Sequence, residues 1–268
     1  MSFAISLNGI ANAQTELNVT ANNLANAQTT GFKSSSVNFA DLVSGSAYTN
    51  PKLIQGVGSR VKSIDQNFTN GSTVATGSAT DLAINGEGFF TVKNPSSGQM
   101  LYTRNGNFSL DANGNMVDSS GNQVQGFAVT NGTAATTIST IQAPNTDTAG
   151  GTFTAVNING DGSVVASYTD GTTMTVAKVA LASFVAPDGL RQMGTQDWTT
   201  TGLSGTASYN APNTTGLGGL LSGSLEGSNV DVSTQLVDLI QAQQYFQANS
   251  KAISTNDQMI TSIMQVQG

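Results

Sequence analysis

Apolar side chains recur every seven residues at the start of the chain. The main column is Phe3, Ile10, Leu17 and Leu24. A companion column is Leu7, Gln14 and Ala21, of which Gln14 is polar. Because residues seven apart share one face of an α-helix, the pattern predicts a helix with an apolar seam. A straight helix drifts relative to a strict repeat of seven, so this spacing favours left-handed packing along a second helix.

The end of the chain repeats this arrangement. Its main column is Val232, Leu239, Phe246, Ile253 and Ile260. A second column begins at Leu236 and ends at Met264, with the polar residues Gln243, Ser250 and Asp257 between them. The simplest partner for each end is the other end, which predicts a discontinuous, coiled-coil-like core domain formed by residues 1–30 and 228–268. Periodicity alone also fits ordinary amphipathic helices that lie on a globular core.

The first helix carries little that would stabilise it in isolation. Residues 1–30 contain six asparagines and a single charged side chain, Glu16. Asparagine has low helix propensity, and one charge cannot form a network of ion pairs. We therefore expect burial against other helices, within the chain or between copies, to stabilise the termini.

Residues 31–70 have a different character. Four glycines and Pro51 interrupt any long helix, so the segment is interpreted as an extended connector with at most short regular pieces. It holds four of the nine cations of the chain, namely Lys33, Lys52, Arg60 and Lys62. A basic connector on an acidic molecule could dock on an acidic neighbour, but a solvated loop with chance clustering of charge is the favoured interpretation.

Residues 71–227 alternate between apolar and polar positions over short stretches. Turn dipeptides separate these stretches at Asn85-Gly86, Asn105-Gly106, Asn113-Gly114, Asn131-Gly132, Asp161-Gly162 and Asp170-Gly171. Alternation with such turns predicts an antiparallel β-rich outer domain. Residues 163–168 and 174–186, joined through Asp170-Gly171, are expected to form a hairpin. Residues 133–151 and 216–227 are predicted to be low-complexity or flexible segments. The predicted fold class is therefore α+β, with paired terminal helices and an antiparallel domain between them.

Composition removes several function classes. The chain has 268 residues, 9 Lys+Arg, 16 Asp+Glu and a formal charge of −7, which argues against nucleic-acid binding. It contains no Cys and no His, so thiolate nucleophiles, imidazole bases and Cys- or His-ligated metals are excluded. Charged residues make up only 9% of the chain, which lowers the repulsion between closely packed identical copies. We expect neither enzymatic activity nor a cofactor.

The remaining motifs for chemistry are incomplete. Residues 111–115 begin like a calcium loop, but Met116 replaces the required glycine and Asn122 the bidentate glutamate, so a hairpin turn is favoured. Residues 216–219 lack the third glycine of a dinucleotide-binding loop. The carboxylates of Asp81 and Glu87 leave a carboxylate-only hydrolase as the enzyme alternative.

Neither membrane insertion nor a cleavable secretion signal is expected. No apolar run approaches the roughly 18 residues that a membrane helix needs. The first four residues have neither a basic region nor a continuous apolar stretch. We expect export, if it occurs, to use a route that reads no Sec signal.

Three blocks of sequence resemble the bacterial flagellar rod and hook proteins, the axial family. The first is Ala21-Asn-Asn-Leu-Ala-Asn26 followed by Thr30-Gly-Phe-Lys33. The second is residues 81–90 with residues 102–108, and the third runs from Leu225-Glu-Gly-Ser-Asn-Val-Asp-Val232 to residues 257–259. Residues 31–42 and 66–72 are most similar to the hook protein. The blocks span both termini and the first half of the β region.

The resemblance implies a structural subunit of the flagellar hook, a hollow, curved tube that transmits torque from motor to filament. The terminal helices would line the channel, and subunits would be exported through the flagellar type III apparatus to the growing tip outside the cell. The implied partners are further copies of the chain, the rod, the hook cap and the hook–filament junction proteins. The expected assembly interface consists of the two seams and six signature residues, Asn22, Asn23, Asn26, Gly31, Phe32 and Lys33.

Longer hook proteins insert a second outer domain that this chain lacks. The corresponding place, residues 131–151, is no longer than a loop. The chain is therefore close in size to the rod proteins, and a rod subunit is the alternative within the family. A secreted β-rich surface protein whose helices dock on its own domain is the alternative from another class.

Overall fold

The chain folds into two compact units. The computed structural model describes residues 2–44, 55–130, 133–147, 150–214 and 216–266. Unit 1 comprises Met1–Ala27, Ser34–Asn67 and Val230–Gly268. Unit 2 comprises Gln28–Lys33 and Phe68–Asn229. The backbone therefore passes between the units four times.

Unit 1 combines two helices with a hairpin. Helix α1 spans Ser2–Ala25 and helix α2 spans Val232–Val266. Strands β1 (Ser35–Ser44) and β2 (Gln55–Gln66) pair antiparallel, with register shifts after Asn38 and after Leu42. The two terminal helices and their contact confirm the paired terminal helices of the predicted α+β fold class. Neither helix in the described ranges combines the length and the apolar content needed to cross a membrane.

The hairpin is a departure from the predicted connector. The sequence indicated at most short regular pieces in residues 31–70, whereas β1 and β2 have ten and twelve residues. Gly56 and Gly58 lie inside β2 near the second register shift, where a strand tolerates glycine at a bulge. The hairpin is part of unit 1, together with the helices. Lys52 of the predicted basic cluster lies outside the described residues.

Unit 2 is built from seventeen strands in the part of the chain that the structure describes. They are β3 (Thr73–Ala75), β4 (Leu82–Asn85), β5 (Phe89–Lys93), β6 (Met100–Thr103), β7 (Ser109–Leu110), β8 (Met116–Val117), β9 (Gln123–Thr130), β10 (Thr133–Thr140), β11 (Phe153–Ile158), β12 (Ser163–Tyr168), β13 (Thr173–Val179), β14 (Leu181–Ser183), β15 (Arg191–Gly194), β16 (Asp197–Thr199), β17 (Ser208–Asn210), β18 (Gly219–Ser222) and β19 (Ser224–Glu226). A single 3₁₀ turn at Pro187–Gly189 separates β14 from β15.

The pairings among these strands are antiparallel. The main sheet has the order β11-β12-β13-β9-β5-β6-β16-β15, with β10 and β8 paired to β9 and β14 paired to β5. Two smaller pairs, β18 with β4 and β19 with β3, return the chain from the end of unit 2 to its beginning. The predicted antiparallel β region is thereby confirmed. The segments predicted as low-complexity or flexible contain β10, β18 and β19 instead, because backbone pairing with neighbours orders even Thr- and Gly-rich sequence.

The turn dipeptides predict some hairpins and miss others. Asn113-Gly114, Asp161-Gly162 and Asp170-Gly171 each join paired neighbours, and their glycines have positive φ. The predicted hairpin of residues 163–168 with 174–186 forms as β12 with β13, but its second arm ends at Val179 and β14 follows. The dipeptide at Asn85 joins no hairpin, because β4 pairs with β18. Asn131-Gly132 lies outside the described residues.

Two apolar clusters hold unit 2 together. The larger lies along strands that include β4, β5, β8, β9, β12, β13 and β14, and it contains Phe90, Met116, Val124 and Leu181. The smaller joins Phe89, Tyr102 and Ala182 to Trp198, the only tryptophan in the chain. The ring of Phe68 packs edge-on against both Phe89 and Trp198, at centroid distances of 5.3 and 5.6 Å. The fluorescence emission of Trp198 should therefore report whether this smaller cluster is folded.

Candidate assembly interface

The helix pair, α1 with α2, is antiparallel with a fixed register. Nδ2 of Asn23 donates to Oε1 of Gln235 at 2.9 Å. Near the other end, a Cβ atom added to Gly9 would lie 2.5 Å from Oδ1 of Asn249, so the helices approach closely there. In this register Ser2 faces residue 256, and the last ten residues of α2, 257–266, extend past the start of α1. At 1.5 Å per residue, this overhang is about 15 Å long.

Small and polar residues form the columns that face each other inside the helix pair. On α1 the buried column is Ser6, Ala13 and Thr20. On α2, inward positions recur seven apart at Gln235, Ala242, Asn249 and Asn256, and Ala242 is fully buried. The predicted companion columns, which contain Leu7 on α1 and Leu236 on α2, lie one residue further along and are exposed. Short side chains occupy the buried columns because they allow the two helix backbones to approach closely.

The large apolar residues of the predicted columns, main and companion together, are only partly covered within one chain. Half-buried members are Ile10, Leu17, Leu24, Leu239, Phe246 and Ile253. Exposed members are Phe3, Leu7, Val232, Leu236, Ile260 and Met264, the last with 70% of its surface accessible. Further apolar residues that sequence reasoning missed are exposed on α2, namely Val237, Ile240, Tyr245, Met259 and Ile263. A single chain therefore presents a long apolar surface on its helix pair.

The signature asparagines differ in their roles. Asn23 is buried, and its amide donates to O of Ser35 at 2.8 Å and accepts from N of Ser35 at 2.9 Å. Together with the bond to Gln235, these contacts join α1, the hairpin and α2. Asn22 is exposed, and Nδ2 of Asn26 donates to O of Asn22 at 2.9 Å. Asn23 thus shapes unit 1 from within, while Asn22 remains available at the surface.

Residues 28–33 fold into unit 2, where Gly31, Phe32 and Lys33 are buried. N of Gly31 donates to O of Glu226 at 2.8 Å. Gly31 has φ +69°, and a Cβ atom there would meet N of Asn105 at 2.6 Å, which explains the glycine. These three residues were expected at the assembly interface. The structure places them inside the fold of the single chain, so any effect on assembly passes through that fold.

A buried ion cluster lies behind this segment and consists of Lys33, Arg104 and Glu226. Nζ of Lys33 lies 2.7 Å from Oε1 of Glu226, and a guanidinium nitrogen of Arg104 lies 3.3 Å from Oε2. The guanidinium also stacks on the ring of Phe89, 5.1 Å from its centroid. Burial lowers the pKa of Lys33 and of Arg104, and Glu226 opposes this by favouring both charged forms. No local sequence pattern indicates this cluster, because its members are far apart along the chain.

The calcium-loop-like segment at residues 111–115 forms a structural turn. Oδ1 of Asp111 accepts hydrogen bonds from N of Asn113 and N of Asn115, both at 2.8 Å, in the β7–β8 turn. The hairpin interpretation of this segment is thereby confirmed. No group of three or more acidic residues suited to a metal ion occurs among the described positions.

Comparisons with known proteins agree across the chain. Residues 3–33 match the family described as flagella basal body rod protein. Residues 83–166 match the flagellar hook protein FlgE/F/G D1 domain. Residues 221–266 match the flagellar basal body rod FlgEFG protein C-terminal family. The three matches contain α1, the centre of unit 2, and α2 with the strand that precedes it.

Individual relatives extend over nearly the full length. The flagellar basal-body rod protein FlgG of Bacillus subtilis is 37% identical, and the match covers 96% of each chain. FlgG of Buchnera aphidicola from Acyrthosiphon pisum is 36% identical over 99% of each chain. The flagellar hook protein FlgE of Escherichia coli is 26% identical, over 98% of this chain and 99% of FlgE. The chain therefore belongs to the flagellar hook and basal-body rod protein family.

Proposed function

We infer that this chain is a structural, non-enzymatic subunit of the flagellar basal-body rod, and that copies of it polymerise through their helix pairs. The observation that carries this proposal is the uncovered apolar surface of the helix pair. Eleven large apolar side chains of α1 and α2 are exposed in a single chain. Water contact at so many apolar side chains is unfavourable, and packing against further copies would remove it.

The overhang of α2 favours contact between copies in particular. Residues 257–266 have no partner from α1 in the register of the helix pair, yet four of them are exposed and apolar: Met259, Ile260, Ile263 and Met264. They lie on one side of the helix, at positions i, i+1, i+4 and i+5. A second copy is the partner we propose for this side.

Two observations favour the rod over the hook. The rod relatives are more similar, at 37% and 36% identity against 26% for the hook protein. They also match end to end over about 270 positions, whereas the hook alignment extends over 408 positions. The extra positions correspond to sequence that this chain does not contain.

A hook subunit is the second candidate function. It is favoured by residues 31–42 and 66–72, whose sequence is most similar to the hook protein. In either role we propose a location in the flagellum, reached through its export apparatus. Adjacent rod, hook, cap and junction proteins remain predicted partners.

Assembly is tested by two aspartate substitutions in the overhang. Ile263→Asp adds a charge to its apolar side, and Thr261→Asp adds the same charge to its polar side. We expect the first to raise the critical concentration for sedimentable polymer about tenfold or more, and the second less than about threefold, because burying an unpaired charge is costly. The emission of Trp198 verifies that unit 2 is intact in both. Equal critical concentrations for both variants would exclude the overhang from the interface, and a protein that forms no tubes in electron micrographs at any concentration would contradict the proposal.

Gold-labelled antibodies on basal bodies isolated from the source organism distinguish the two roles. Label confined to the rod is expected. Label along the hook instead would replace the rod assignment by the hook while leaving self-assembly through the helix pair unaffected.

A further inference from the structure

The ion cluster contains two cations and one anion, all removed from water. Lys33 and Glu226 are each 1% exposed and Arg104 is 2% exposed. The Glu226 carboxylate is the group that both cations share. It also accepts a hydrogen bond from N of Gly71 at 2.9 Å. A buried charge needs an ionic partner and hydrogen bonds to be tolerated, so this single carboxylate supports three segments of unit 2.

The cations have few other acceptors. Nζ of Lys33 donates to O of Thr69 at 2.7 Å, and Arg104 donates to O of Gly86 at 3.0 Å. Nε of Arg104 is buried and has no acceptor among the described atoms. If Glu226 were missing, two like charges would face each other in the interior with carbonyl oxygens as their main acceptors. That arrangement is unfavourable, because carbonyl dipoles do not neutralise a net charge.

Two of the three members of the cluster, Lys33 and Glu226, lie close in sequence to places where the backbone passes between the units. Lys33 is the last residue of unit 2 before the chain enters the hairpin segment, and Thr69 follows the return at Phe68. Glu226 comes three residues before Asn229, where the chain leaves unit 2 for α2. The two cations are synthesised early, and the anion arrives only when nearly the whole of unit 2 has been made.

We propose that Glu226 acts as a closing switch for unit 2, which reaches its closed fold only when this carboxylate enters and neutralises Lys33 and Arg104. Until the segment that leads into α2 is present, unit 2 remains open at its entry and exit points. The switch thus couples closure of the β-rich unit to the presence of the C-terminal part of the chain. It depends on the structure of unit 2 and not on the assignment to rod or hook.

The test compares isosteric variants of the full chain. Glu226→Gln retains shape but removes the charge, and we expect the folding equilibrium constant of unit 2 to fall by about a hundredfold or more. Asp188→Asn, the corresponding change at an exposed carboxylate of unit 2 that lies outside the cluster, is the control and is expected to change it by less than about threefold. Urea unfolding followed by Trp198 emission measures both. Tryptic cleavage after the buried Arg104, without urea, measures opening independently.

A double variant separates charge from packing. Lys33→Met with Glu226→Gln removes one of the two cations that Glu226→Gln alone leaves uncompensated. We expect this double variant to be less destabilised than Glu226→Gln and to be cleaved more slowly after Arg104. A double variant at least as unstable as the single one would overturn the switch, as would Glu226→Gln behaving like Asp188→Asn in both measurements.

Discussion

Asp197 is a carboxylic acid placed where its charge is unfavourable. It begins β16, beside Trp198, and only 4% of its surface is exposed. Its pKa is raised from 3.8 to about 6, mainly by burial and also by the nearby charge of Asp118, while hydrogen bonds from Thr195 and Thr103 oppose the rise. Because the folded-state value exceeds the unfolded one, the group stabilises the fold fully below pH 3.8, and that stabilisation is lost as the pH rises through about 6.

Replacing Asp197 by Asn removes this pH dependence. We expect the free energy of unfolding of Asp197→Asn, minus that of the unmodified chain, to increase by roughly 1–3 kcal/mol between pH 4 and pH 7. Urea midpoints from Trp198 emission across this range measure it. Asp188→Asn makes the same change at an exposed aspartate of the same unit and is the matched control. A difference for Asp197→Asn that stays constant between pH 4 and pH 7, or that changes no more than the difference for Asp188→Asn, would contradict the buried-acid account.

The signature residues could be recognised in the sequence, but the contacts that each of them makes could not. The signature containing Asn23, Gly31 and Lys33 is recognisable by inspection, and it led to the expectation of contacts between copies. The structure gives each of them partners inside the chain. Glu226, the partner of Lys33, lies 193 positions away, and no local pattern connects residues so distant. Their pairing follows from strand order, which a single sequence does not reveal.

At the scale of elements, the helix pair depends on small residues that periodicity analysis overlooks. A search for large apolar side chains selects the columns of Leu7 and Leu236, yet the columns one residue earlier, with Ala13 and Ala242, are buried. The heptad spacing therefore predicted the helices and their pairing, but not the precise seam. The missing information is distance between the backbones, since a close approach selects alanine, serine and glycine over leucine.

Enlarging Ala242 tests this seam. Ala242→Leu should destabilise the helix pair by about 1–3 kcal/mol, because a larger side chain cannot fit where none of the alanine surface is exposed. Ala248→Leu is the matched control, since Ala248 is exposed on the same helix and its replacement should stay within about 0.5 kcal/mol. Thermal loss of the helical circular dichroism signal at protein concentrations below assembly measures both. Equal shifts for the two variants would move the seam away from Ala242.

The hairpin of unit 1 shows a different limit of sequence analysis. Glycines in β2 were interpreted as interruptions, although a bulged strand accommodates them. Asn12 of α1 holds this strand through bonds from its Nδ2 to O and Oγ of Ser59, at 3.0 and 2.8 Å. Such a contact between a helix and a strand 47 residues apart stabilises a segment whose own composition resembles a loop.

At the scale of the whole molecule, the low charge content agrees with an assembly stabilised by apolar contacts. Charged residues make up 9% of the chain, and three ion pairs occur within the described ranges, of which two belong to the ion cluster. The exposed surface of the helix pair is rich in apolar side chains. Composition alone predicted the absence of strong surface charge, and the hydrophobic pattern predicted the α+β fold class, but the division into two units needed the structure.

Salt should therefore have little influence on polymer formation. We expect the critical concentration to change less than about threefold between 50 and 500 mM sodium chloride, because few charges are available for screening. Ammonium sulfate should lower it, since excluded salts strengthen apolar association. Sedimentation at each condition measures both effects. If the critical concentration fell about tenfold or more as sodium chloride rose from 50 to 500 mM, repulsion between charges would control assembly.

The four passages of the backbone between the units have a mechanical consequence. A pulling or twisting force on one unit would be transmitted to the other through four backbone connections, and each connection would bear a fraction of the force. Cleavage of the chain at any one of these connections would leave the other three intact. The two units are therefore connected by four segments of the polypeptide instead of a single linker.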